Sequence, residues 1–429
     1  MRVEVGPAHL PHDRTAALDC GPGGRYWTVP ARDPETPLRA TPLPPGDLAP
    51  RGATIEPFYA GLIGEQAAAL ARAGRVVVPM HYGQPTQGAP ATAVAAAERA
   101  LARAGQSVPL GYYESPDLKA RIARHYRETY GVEVTPARIL LTMGASAALV
   151  ATFAALFAPG DRIALARPGY PAYRNALAAL GREIVEVDCG PEAGFRLTPA
   201  ALARLPATPH GLVCASPANP TGAVLHRDEL AALLAYCRER GIRFVSDEIY
   251  HGITYAGRAT CALELDDEAI VVNSFSKYFR MPGWRLGWLV VPERFAAGLS
   301  NYLINFFLTP PAISQHAALG AFDDPAALEA ALPAYARNRG LLLDALPRLG
   351  FRDVVAPEGA VYFYVGVGHW TDDSLEFCRR MLDATGVSAS PGIDFDPVHG
   401  GRTIRFSFAV TTPEVERAIE ALAAWLPRA

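Results

Sequence analysis

Lysine is almost absent from this chain of 429 residues. All but two of its 40 lysine and arginine residues are arginines, and the two lysines are Lys119 and Lys277. A position that keeps lysine in such a chain is a candidate for a task that arginine cannot perform. An amine can lose its proton and attack a carbonyl group, whereas a guanidinium stays protonated. Lys119 has the polar neighbours Asp117 and Arg121 in a predicted helix and is interpreted as a solvated surface charge. Lys277 is therefore the candidate for a reactive amine.

Other absences narrow the class of protein. The six cysteines include no C-x-x-C pair, which argues against a disulfide framework and a zinc site, and we predict no metal site. The formal net charge of -3 argues against a general affinity for nucleic acids or anionic membranes, because both partners require a basic protein surface. The N-terminus lacks the basic start and apolar segment of a signal peptide. These absences favour a cytoplasmic protein that acts on small molecules.

One uncharged run, residues 139–159, is long enough to suggest a membrane helix. It begins with the β-prone ILLT, continues through the small-residue turn at residues 143–146 and ends in an Ala/Leu/Phe-rich helix. A buried strand, turn and helix therefore explain the run better than a membrane span. The hydrophobic content of 50% is typical of a globular protein, and the chain is longer than one core usually supports, so we predict two domains.

The order of predicted elements indicates the fold class. Short β-rich runs alternate with helical ones up to about residue 292, which is typical of an α/β domain whose sheet is mostly parallel and whose ligands bind beyond the strand ends. The predicted strands are residues 139–142, 162–166, 184–188, 211–215, 243–246, 269–273 and 286–291. A long helical region and shorter mixed elements follow, which indicate a smaller α+β domain.

These patterns divide the chain into three parts. The first 50 residues are rich in proline and glycine and are predicted to be an extension without a domain of its own. Residues 91–315 are predicted to be the large domain, and residues 51–90 together with 316–429 the small one.

A lysine that attacks a carbonyl suggests Schiff-base chemistry with pyridoxal phosphate. Such a site also needs an acid for the pyridine nitrogen, a phosphate cradle and a clamp for the substrate carboxylate. Asp247, at the end of an apolar strand in FVSDEIY, fits the acid, although a helix N-cap would also explain it. The turn at residues 143–146 has backbone N–H groups that could hold a phosphate. Asn219, in SPANPTG, is suited to aim its amide at a fixed oxygen, although a plain loop would look the same.

Six motifs occur together in an order that is highly specific. They are GASA, PGYPAY, SPANPTG, SDEIYHG, SFSKYFRMPGWRLGW and RFSFA. In this order and spacing the chain, from about residue 52 to its end, resembles the class I/II aminotransferases of the aspartate aminotransferase fold, which are fold type I pyridoxal phosphate enzymes. The resemblance implies a large domain with a mostly parallel central sheet flanked by helices, and a smaller α+β domain.

The resemblance implies a role for each matched residue around the cofactor ring. Lys277 matches the lysine that holds the cofactor as a Schiff base and later moves a proton at the substrate's α-carbon. Asp247 matches the partner of the ring nitrogen, and Tyr170 matches the aromatic residue that stacks on the ring. Tyr250 and Asn219 match the hydrogen-bond donors to the ring's phenolic oxygen.

The phosphate and the substrate have matched residues too. The phosphate cradle corresponds to Ala145, Ser146, Ser274, Ser276 and Arg285. Arg405 matches the arginine that grips the substrate α-carboxylate, although an edge-strand surface charge, as predicted for Arg402, is the simpler alternative. Gly83 and Asn219 are implied to lie beside the same substrate. Tyr112 matches a tyrosine that reaches the phosphate of the neighbouring subunit, so a homodimer with shared active sites is implied.

The chain departs from the family pattern in three places. Arg280 stands where a small or aliphatic residue is usual, and Pro282 stands where threonine is common. Arg280 could tighten the cofactor, meet an acidic substrate group or point to solvent. The segment after Tyr112 is shorter than in many relatives, and residues 1–50 have no counterpart.

The resemblance predicts an aminotransferase that exchanges an amino group between an L-amino acid and a 2-oxo acid. The segment NYLINFFL, residues 301–308, lacks the arginine that dicarboxylate-specific relatives often place there, which favours a neutral, aromatic or otherwise apolar side chain. A lyase or γ-elimination or replacement enzyme on the same fold is the alternative. A regulatory module that binds effectors is a third hypothesis, which the absence of a helix-turn-helix pattern disfavours.

Overall fold

The structure, a computed structural model, describes residues 55–104 and 110–427, so the predicted extension at residues 1–50 lies outside the described residues. The helices are α1 Tyr59–Arg72, α2 Ala91–Ala104, α3 Pro116–Tyr130, α4 Gly144–Leu156, α5 Pro171–Ala179, α6 Pro199–Ala203, α7 Arg227–Glu239, α8 Glu293–Phe307, α9 Ala312–Phe322, α10 Pro325–Glu329, α11 Leu332–Arg348, α12 Ser374–Thr385 and α13 Thr412–Trp425. The strands are β1 Val78–Pro79, β2 Ile139–Thr142, β3 Arg162–Arg167, β4 Glu183–Asp188, β5 Gly211–Ala215, β6 Arg243–Asp247, β7 Ile270–Ser274, β8 Gly287–Val290, β9 Tyr362–Gly366, β10 Val387–Ser388, β11 Ser390–Pro391 and β12 Thr403–Ser407.

A seven-stranded sheet forms the centre of the larger part, in the order β2-β8-β7-β6-β5-β3-β4. The pairs from β4 through β3, β5 and β6 to β7 are parallel, and β8 runs antiparallel to β7 and β2. The predicted α/β class with a mostly parallel sheet is therefore confirmed. Each of the seven predicted strands is observed within one residue of its predicted bounds.

Helices cover both faces of this sheet, because neighbouring residues of each strand point to opposite sides. In β7, Val271 packs in one core with residues of α2, α3 and α7, while Val272 packs in the other with residues of α4, α5 and α8. The uncharged run at residues 139–159 forms β2 and α4 between these layers. Within the described ranges, no helix combines the length and the apolar character needed to cross a membrane.

A second, three-stranded sheet has the order β11-β12-β9 and is antiparallel. Its buried face, which includes Phe363 and Phe406, packs in a separate core with residues of α1, α11, α12 and α13. The predicted boundary between residues 315 and 316 lies inside α9, whose Ala317 and Phe322 pack in a core of the seven-stranded sheet. The division into a large and a small domain stays a prediction.

Candidate active site

A cavity of about 290 Å³ lies where the parallel strands end. Strands β5, β6 and β7 end at Ala215, Asp247 and Ser274, so the loops that follow them meet at one edge of the sheet. The cavity is lined by Phe58, Tyr82, Gly83, Gln84, Ala145, Ser146, Leu149, Tyr170, Tyr173, Ala215, Asn219, Asp247, Ile249, Tyr250, Lys277, Tyr362 and Arg405.

Lys277 lies in the loop that follows β7 and faces this cavity. Its Nζ donates a hydrogen bond to the Gly83 carbonyl at 2.8 Å and lies 5.7 Å from the centre of the Tyr250 ring. Lys119, by contrast, forms an ion pair with Glu114 at the start of α3. Only Lys277 therefore combines an amine with access to the cavity.

Asp247 is the acidic residue of the cavity and is buried, with 3% of its surface exposed. Its Oδ2 accepts a hydrogen bond from the Tyr173 hydroxyl at 2.5 Å, and its Oδ1 accepts one from the Ile249 N–H at 3.1 Å. Burial raises the pKa of Asp247 to about 6, and the two hydrogen bonds offset only part of this effect. Asp247 ends a strand and caps no helix, so the N-cap alternative is wrong for this position.

Arg405, on β12, is a buried basic residue of the cavity, whereas Asp247 is a buried acidic one. It is 2% exposed, and its guanidinium donates to the Asn219 Oδ1 at 2.8 Å, the His81 carbonyl at 2.6 Å and the Ser390 hydroxyl at 2.8 Å. These partners are all neutral, and Nε has no hydrogen-bond partner among the described residues. The alternative of an edge-strand surface charge is wrong for Arg405, whereas Arg402 is exposed and pairs with Asp372 at the surface.

Tyr250, Tyr362 and Asn219 are further polar residues of the cavity lining. The Tyr250 hydroxyl is hydrogen-bonded to the Tyr362 hydroxyl at 2.6 Å, and both side chains are buried. Because Arg405 occupies the Asn219 oxygen, the Nδ2 group of Asn219 is left as a donor. Tyr170, which precedes α5, lies against Tyr173 with its ring centre 5.4 Å away and lines the cavity beside Asp247.

The predicted phosphate cradle gathers at the start of α4. Gly144 takes a left-handed φ of +74°, and a Cβ there would lie 2.6 Å from the Arg285 Nη2, so glycine lets the arginine approach the helix end. Arg285 is exposed and donates to the Pro282 and Met143 carbonyls. The Ser274 hydroxyl donates to the Ser276 hydroxyl at 2.9 Å next to this turn. Ala145 and Ser146 line the cavity itself.

Two expected residues lie elsewhere. Tyr112 is 83% exposed and does not line the cavity of its own chain. Arg280 is 9% exposed and also lies outside the cavity lining; its guanidinium donates to the Gln87 side chain at 2.5 Å and to the Ala327 carbonyl at 2.6 Å. It points neither to solvent nor into the cavity, and instead joins two segments of the chain.

Eight residues of the cavity lining were not predicted from the sequence, and two of them, Tyr173 and Tyr362, are buried tyrosines that contact predicted site residues. Tyr173 stands three residues after Tyr170 in the quoted motif PGYPAY, so helical spacing could have drawn attention to it. Tyr362 lies in VYFYVGV, where alternation predicts a strand and nothing marks a function. Its ring centre is 4.4 Å from the Arg405 guanidinium carbon.

The donor set fits pyridoxal 5′-phosphate. Asp247 is a buried anion that makes no ion pair with any described residue, and the ring N–H of the cofactor would supply its partner. At the other end, Arg405 is a buried cation without a described carboxylate partner. The helix start and Arg285 offer N–H groups and a positive charge for the phosphate.

Comparisons with known proteins agree with this arrangement. The family model described as aminotransferase class I and II matches residues 75–422. Valine–pyruvate aminotransferase of Mycobacterium tuberculosis is 44% identical over 381 residues, which cover 87% of this chain and 97% of that protein. Aspartate/prephenate aminotransferase of Thermus thermophilus is 32% identical over 391 residues, which cover 89% and 99% of the two chains.

A solved structure matches over the same extent. The crystal structure of an aminotransferase from Mycobacterium tuberculosis superposes with a TM-score of 0.85 at 42% sequence identity, covering 89% of this chain and 99% of that one. These three relatives all carry names of aminotransferases, which supports amino-group transfer over the lyase alternative.

Proposed function

The chain belongs to the class I and II aminotransferases, enzymes that use pyridoxal 5′-phosphate, and from this premise we propose that it moves the amino group of a neutral, apolar L-amino acid such as valine to pyruvate. It exchanges an amino group between an amino acid and a 2-oxo acid. Of the described cavity residues, only Lys277 and Arg405 are cations, and this observation carries the proposed substrate class.

The side-chain end of the cavity favours an apolar substrate. If Arg405 binds the α-carboxylate and Lys277 serves the cofactor, no described cation of the lining remains for a second carboxylate. The aromatic residues Phe58 and Tyr82 lie at the cavity and are both more than one third exposed, which suits them to contact a substrate side chain at the mouth. The 44% identity to a valine–pyruvate aminotransferase supports the same choice of substrates.

The cavity residues are proposed to divide the chemistry. When bound, pyridoxal phosphate supplies a carbonyl that takes up the amino group and a ring that withdraws electrons from the substrate α-carbon. Asp247 would accept the hydrogen bond of the ring N–H, and its buried site would keep this contact free of water. Tyr250 and the Asn219 Nδ2 would donate to the phenolic oxygen, and Tyr170 would pack on the ring.

Lys277 and Arg405 act on the substrate. Once the substrate has displaced it from the cofactor, the Lys277 amine would take the proton from the substrate α-carbon and deliver it to the cofactor carbon that carries the amino group. With the 2-oxo acid it would move a proton in the opposite direction, a task that requires a group able to change protonation state. The Arg405 guanidinium holds the α-carboxylate by two parallel hydrogen bonds, which fixes the α-carbon within reach of Lys277. The backbone at Gly83 would lie beside the same carboxylate. The start of helix α4, Ser274, Ser276 and Arg285 would hold the phosphate.

The proposed substrates are tested with a panel of amino acids and pyruvate as acceptor. We expect kcat/KM for valine to exceed that for aspartate by at least about 100-fold, because a side-chain carboxylate would lie against the aromatic residues Phe58 and Tyr82 with no described cation of the cavity left to pair with it. A preference for aspartate would sink the proposal. Release of ammonia without formation of alanine from pyruvate would favour the lyase alternative.

Lys277 is tested by spectroscopy. The purified enzyme with added cofactor should show a visible absorbance band that Lys277→Ala abolishes, whereas Lys119→Ala, which removes the surface lysine, should retain the band. A wild-type protein that stays colourless with excess cofactor would contradict the proposed site.

A homodimer is the proposed assembly. Large apolar side chains are exposed at the end of α2, in the loop before α3 and at the end of α8, at Leu101, Leu110, Tyr112, Phe306 and Leu308. Exposed apolar groups of this kind favour a protein–protein contact, and Tyr112 is free to reach the partner's phosphate site. Light scattering should give twice 45.8 kDa. Tyr112→Phe should weaken cofactor binding severalfold, whereas Tyr113→Phe, whose hydroxyl bonds to His316 of the same chain, should not.

A cytoplasmic location is also proposed. The described cysteines, Cys189, Cys214, Cys237, Cys261 and Cys378, are all free and buried, as expected in a reducing compartment. Detection of the protein outside the cytoplasmic fraction of its cells would contradict this location.

A further inference from the structure

Tyr362 contacts both Tyr250 and Arg405, two residues to which the proposed function gives a role. It begins β9, and only 1% of its surface is exposed. Its hydroxyl bonds to the Tyr250 hydroxyl at 2.6 Å, and its ring lies under the Arg405 guanidinium at 4.4 Å. One side chain therefore touches both the residue assigned to the phenolic oxygen and the residue assigned to the carboxylate.

Gly83 is shaped around this tyrosine. A Cβ at position 83 would lie 1.5 Å from the Tyr362 hydroxyl oxygen, so no other residue fits there while the hydroxyl keeps its place. The Gly83 carbonyl is already occupied by the Lys277 Nζ. The hydroxyl is thus enclosed, and among the described residues its hydrogen-bond partner is Tyr250.

The direction of the hydrogen bond between the two tyrosines follows from their partners. Each hydroxyl has one hydrogen to donate. If the Tyr250 hydroxyl donates its hydrogen to the cofactor's phenolic oxygen, then in the 2.6 Å hydrogen bond between the two tyrosines Tyr362 is the donor and Tyr250 the acceptor. Tyr362 is then the outer member of a chain of two hydroxyls that points toward the cofactor, and each bond in such a chain polarises the next.

The ring of Tyr362 has a separate task. The Arg405 guanidinium packs over two aromatic rings, and its central carbon lies 4.4 Å from the centre of the Tyr362 ring and 4.6 Å from that of the Phe395 ring. Contact with two rings restricts the movement of the guanidinium, which two-pronged binding of a carboxylate requires. The Tyr362 hydroxyl therefore acts on the cofactor through Tyr250, and the Tyr362 ring acts on the substrate through Arg405.

We propose that Tyr362 is a positioning residue of the reaction: its hydroxyl donates to Tyr250 and so orients and strengthens the hydrogen bond that Tyr250 donates to the cofactor's phenolic oxygen, and its ring holds the Arg405 guanidinium for the substrate carboxylate. This assignment rests on the proposed function. It goes beyond that function because it gives one residue two separable effects, one on the cofactor and one on the substrate.

The hydroxyl is tested with Tyr362→Phe, which keeps the ring and removes only one oxygen. The readout is a pH titration of the visible absorbance of the cofactor-loaded enzyme, without substrate. A donor to the phenolic oxygen stabilises the deprotonated chromophore, and loss of the Tyr362 hydroxyl weakens that donor without removing it, so the midpoint should rise by about 0.2 to 0.4 pH units. KM for the amino acid should stay within about twofold, because the ring remains.

Tyr364→Phe is the matched control. Tyr364 lies two residues along the same strand, is also buried and accepts a hydrogen bond from the Thr403 hydroxyl at 2.5 Å, but it does not line the cavity. Its loss removes a buried hydroxyl without touching Tyr250, so the midpoint should not move. An unchanged midpoint in Tyr362→Phe, or an equal shift in both variants, would overturn the hydroxyl's role.

The ring is tested with Tyr362→Leu. This variant should show the same shift of the midpoint and, in addition, a KM for the amino acid raised about tenfold or more, with a smaller change in kcat. A KM equal to that of Tyr362→Phe would overturn the ring's role. Failure of the proposed cofactor site is a different result, since the wild-type protein would then show no visible band to titrate. Failure of the proposed substrate class would appear as a preference of the wild type for aspartate and would leave the midpoint measurement intact.

Discussion

The two ends of the cavity are built from different sheets and carry buried charges of opposite sign. At the cofactor end, the seven-stranded sheet places the Asp247 carboxylate in a site without a described ion-pair partner. At the carboxylate end, the three-stranded sheet places the Arg405 guanidinium among neutral acceptors only. Neither charge is neutralised by the other side chains that touch it.

The comparison shows how the polypeptide prepares for two ligands. A buried charge without a partner destabilises the protein unless a ligand compensates it. The ring N–H of the cofactor is the complement of Asp247, and the α-carboxylate of the substrate is the complement of Arg405. The site is thus built to gain from binding both, and removal of either charge should affect one ligand and leave the other largely unchanged.

Substitution of Arg405 should have the largest effect among these variants, and the effect should fall on substrate binding and leave cofactor binding unchanged. Arg405→Leu is expected to lower kcat/KM by about two to three orders of magnitude, because the buried carboxylate would lose its charge-assisted hydrogen bonds. Arg405→Lys should lie between this variant and the wild type, since a lysine keeps the charge and loses the two-pronged geometry. Steady-state kinetics with valine and pyruvate measure both losses.

The cofactor end provides the internal check on this variant. The visible band of Arg405→Leu should persist, because the residues around Asp247 are untouched. Arg402→Leu, which removes an exposed arginine three residues earlier, should retain full activity. A kcat/KM of Arg405→Leu within tenfold of the wild type would show that the carboxylate binds elsewhere.

Substitution of Asp247 by asparagine is expected to stabilise the cofactor-free protein and, at the same time, to weaken cofactor binding. Burial raises the pKa of its carboxyl to about 6, so the folded protein without cofactor binds this proton more tightly than the unfolded chain between about pH 4 and 6. Stability from this group is therefore fully present below pH 4 and lost as the pH rises through 6. Asp247→Asn should remove this loss and stabilise the cofactor-free protein at pH 7 by up to ~3 kcal/mol.

The same substitution should weaken cofactor binding by at least about tenfold, because the ring N–H loses its anionic partner. Urea unfolding of the cofactor-free protein at several pH values, together with a cofactor titration, measures the two effects. Asp344→Asn, on the exposed surface of α11, serves as the control and should change neither. A less stable Asp247→Asn protein without cofactor would contradict the interpretation of Asp247 as an uncompensated buried charge.

The seven-stranded sheet could be predicted because its strands are short apolar runs bounded by turns, and strand ends in a parallel sheet meet at one edge. That rule alone brings Asp247 and the Lys277 loop together. The order of the strands and the antiparallel direction of β8 depend on contacts distant in sequence, such as Leu141 with Trp288. Local patterns carry no information on such contacts.

The site was predicted unevenly for the same reason. Lys277 stood out by composition, and the other assigned residues stood out through quoted motifs. Tyr362 and Tyr250 are 112 positions apart, and nothing near Tyr362 indicates that their hydroxyls meet. Arg280 was noticed as unusual, but its partner Gln87 is 193 positions away, so the sequence could not say which way it points.

The segment at residues 81–87 connects the two ends of the cavity and gives the smallest predicted effect. The His81 carbonyl accepts from Arg405 at the carboxylate end, and the Gly83 carbonyl accepts from Lys277 at the cofactor end. Arg280, which donates its own backbone N–H to the Lys277 carbonyl, holds this segment at Gln87. A contact at Gln87 should therefore influence both ends weakly.

Gln87→Ala is expected to lower kcat/KM about two- to fivefold, mainly through KM, because the exposed glutamine can be replaced by water while the segment loses its fixed end. In an Arg280→Ala background the same change should have no further effect, since the bond is already absent. Additive losses in the double variant would show that Arg280 and Gln87 act separately. If Arg280→Ala does not fold, an unchanged KM in Gln87→Ala alone is enough to contradict the coupling. A shared loss would mean that the two oppositely charged ends, although built from different sheets, are aligned through one short segment that Arg280 holds in place.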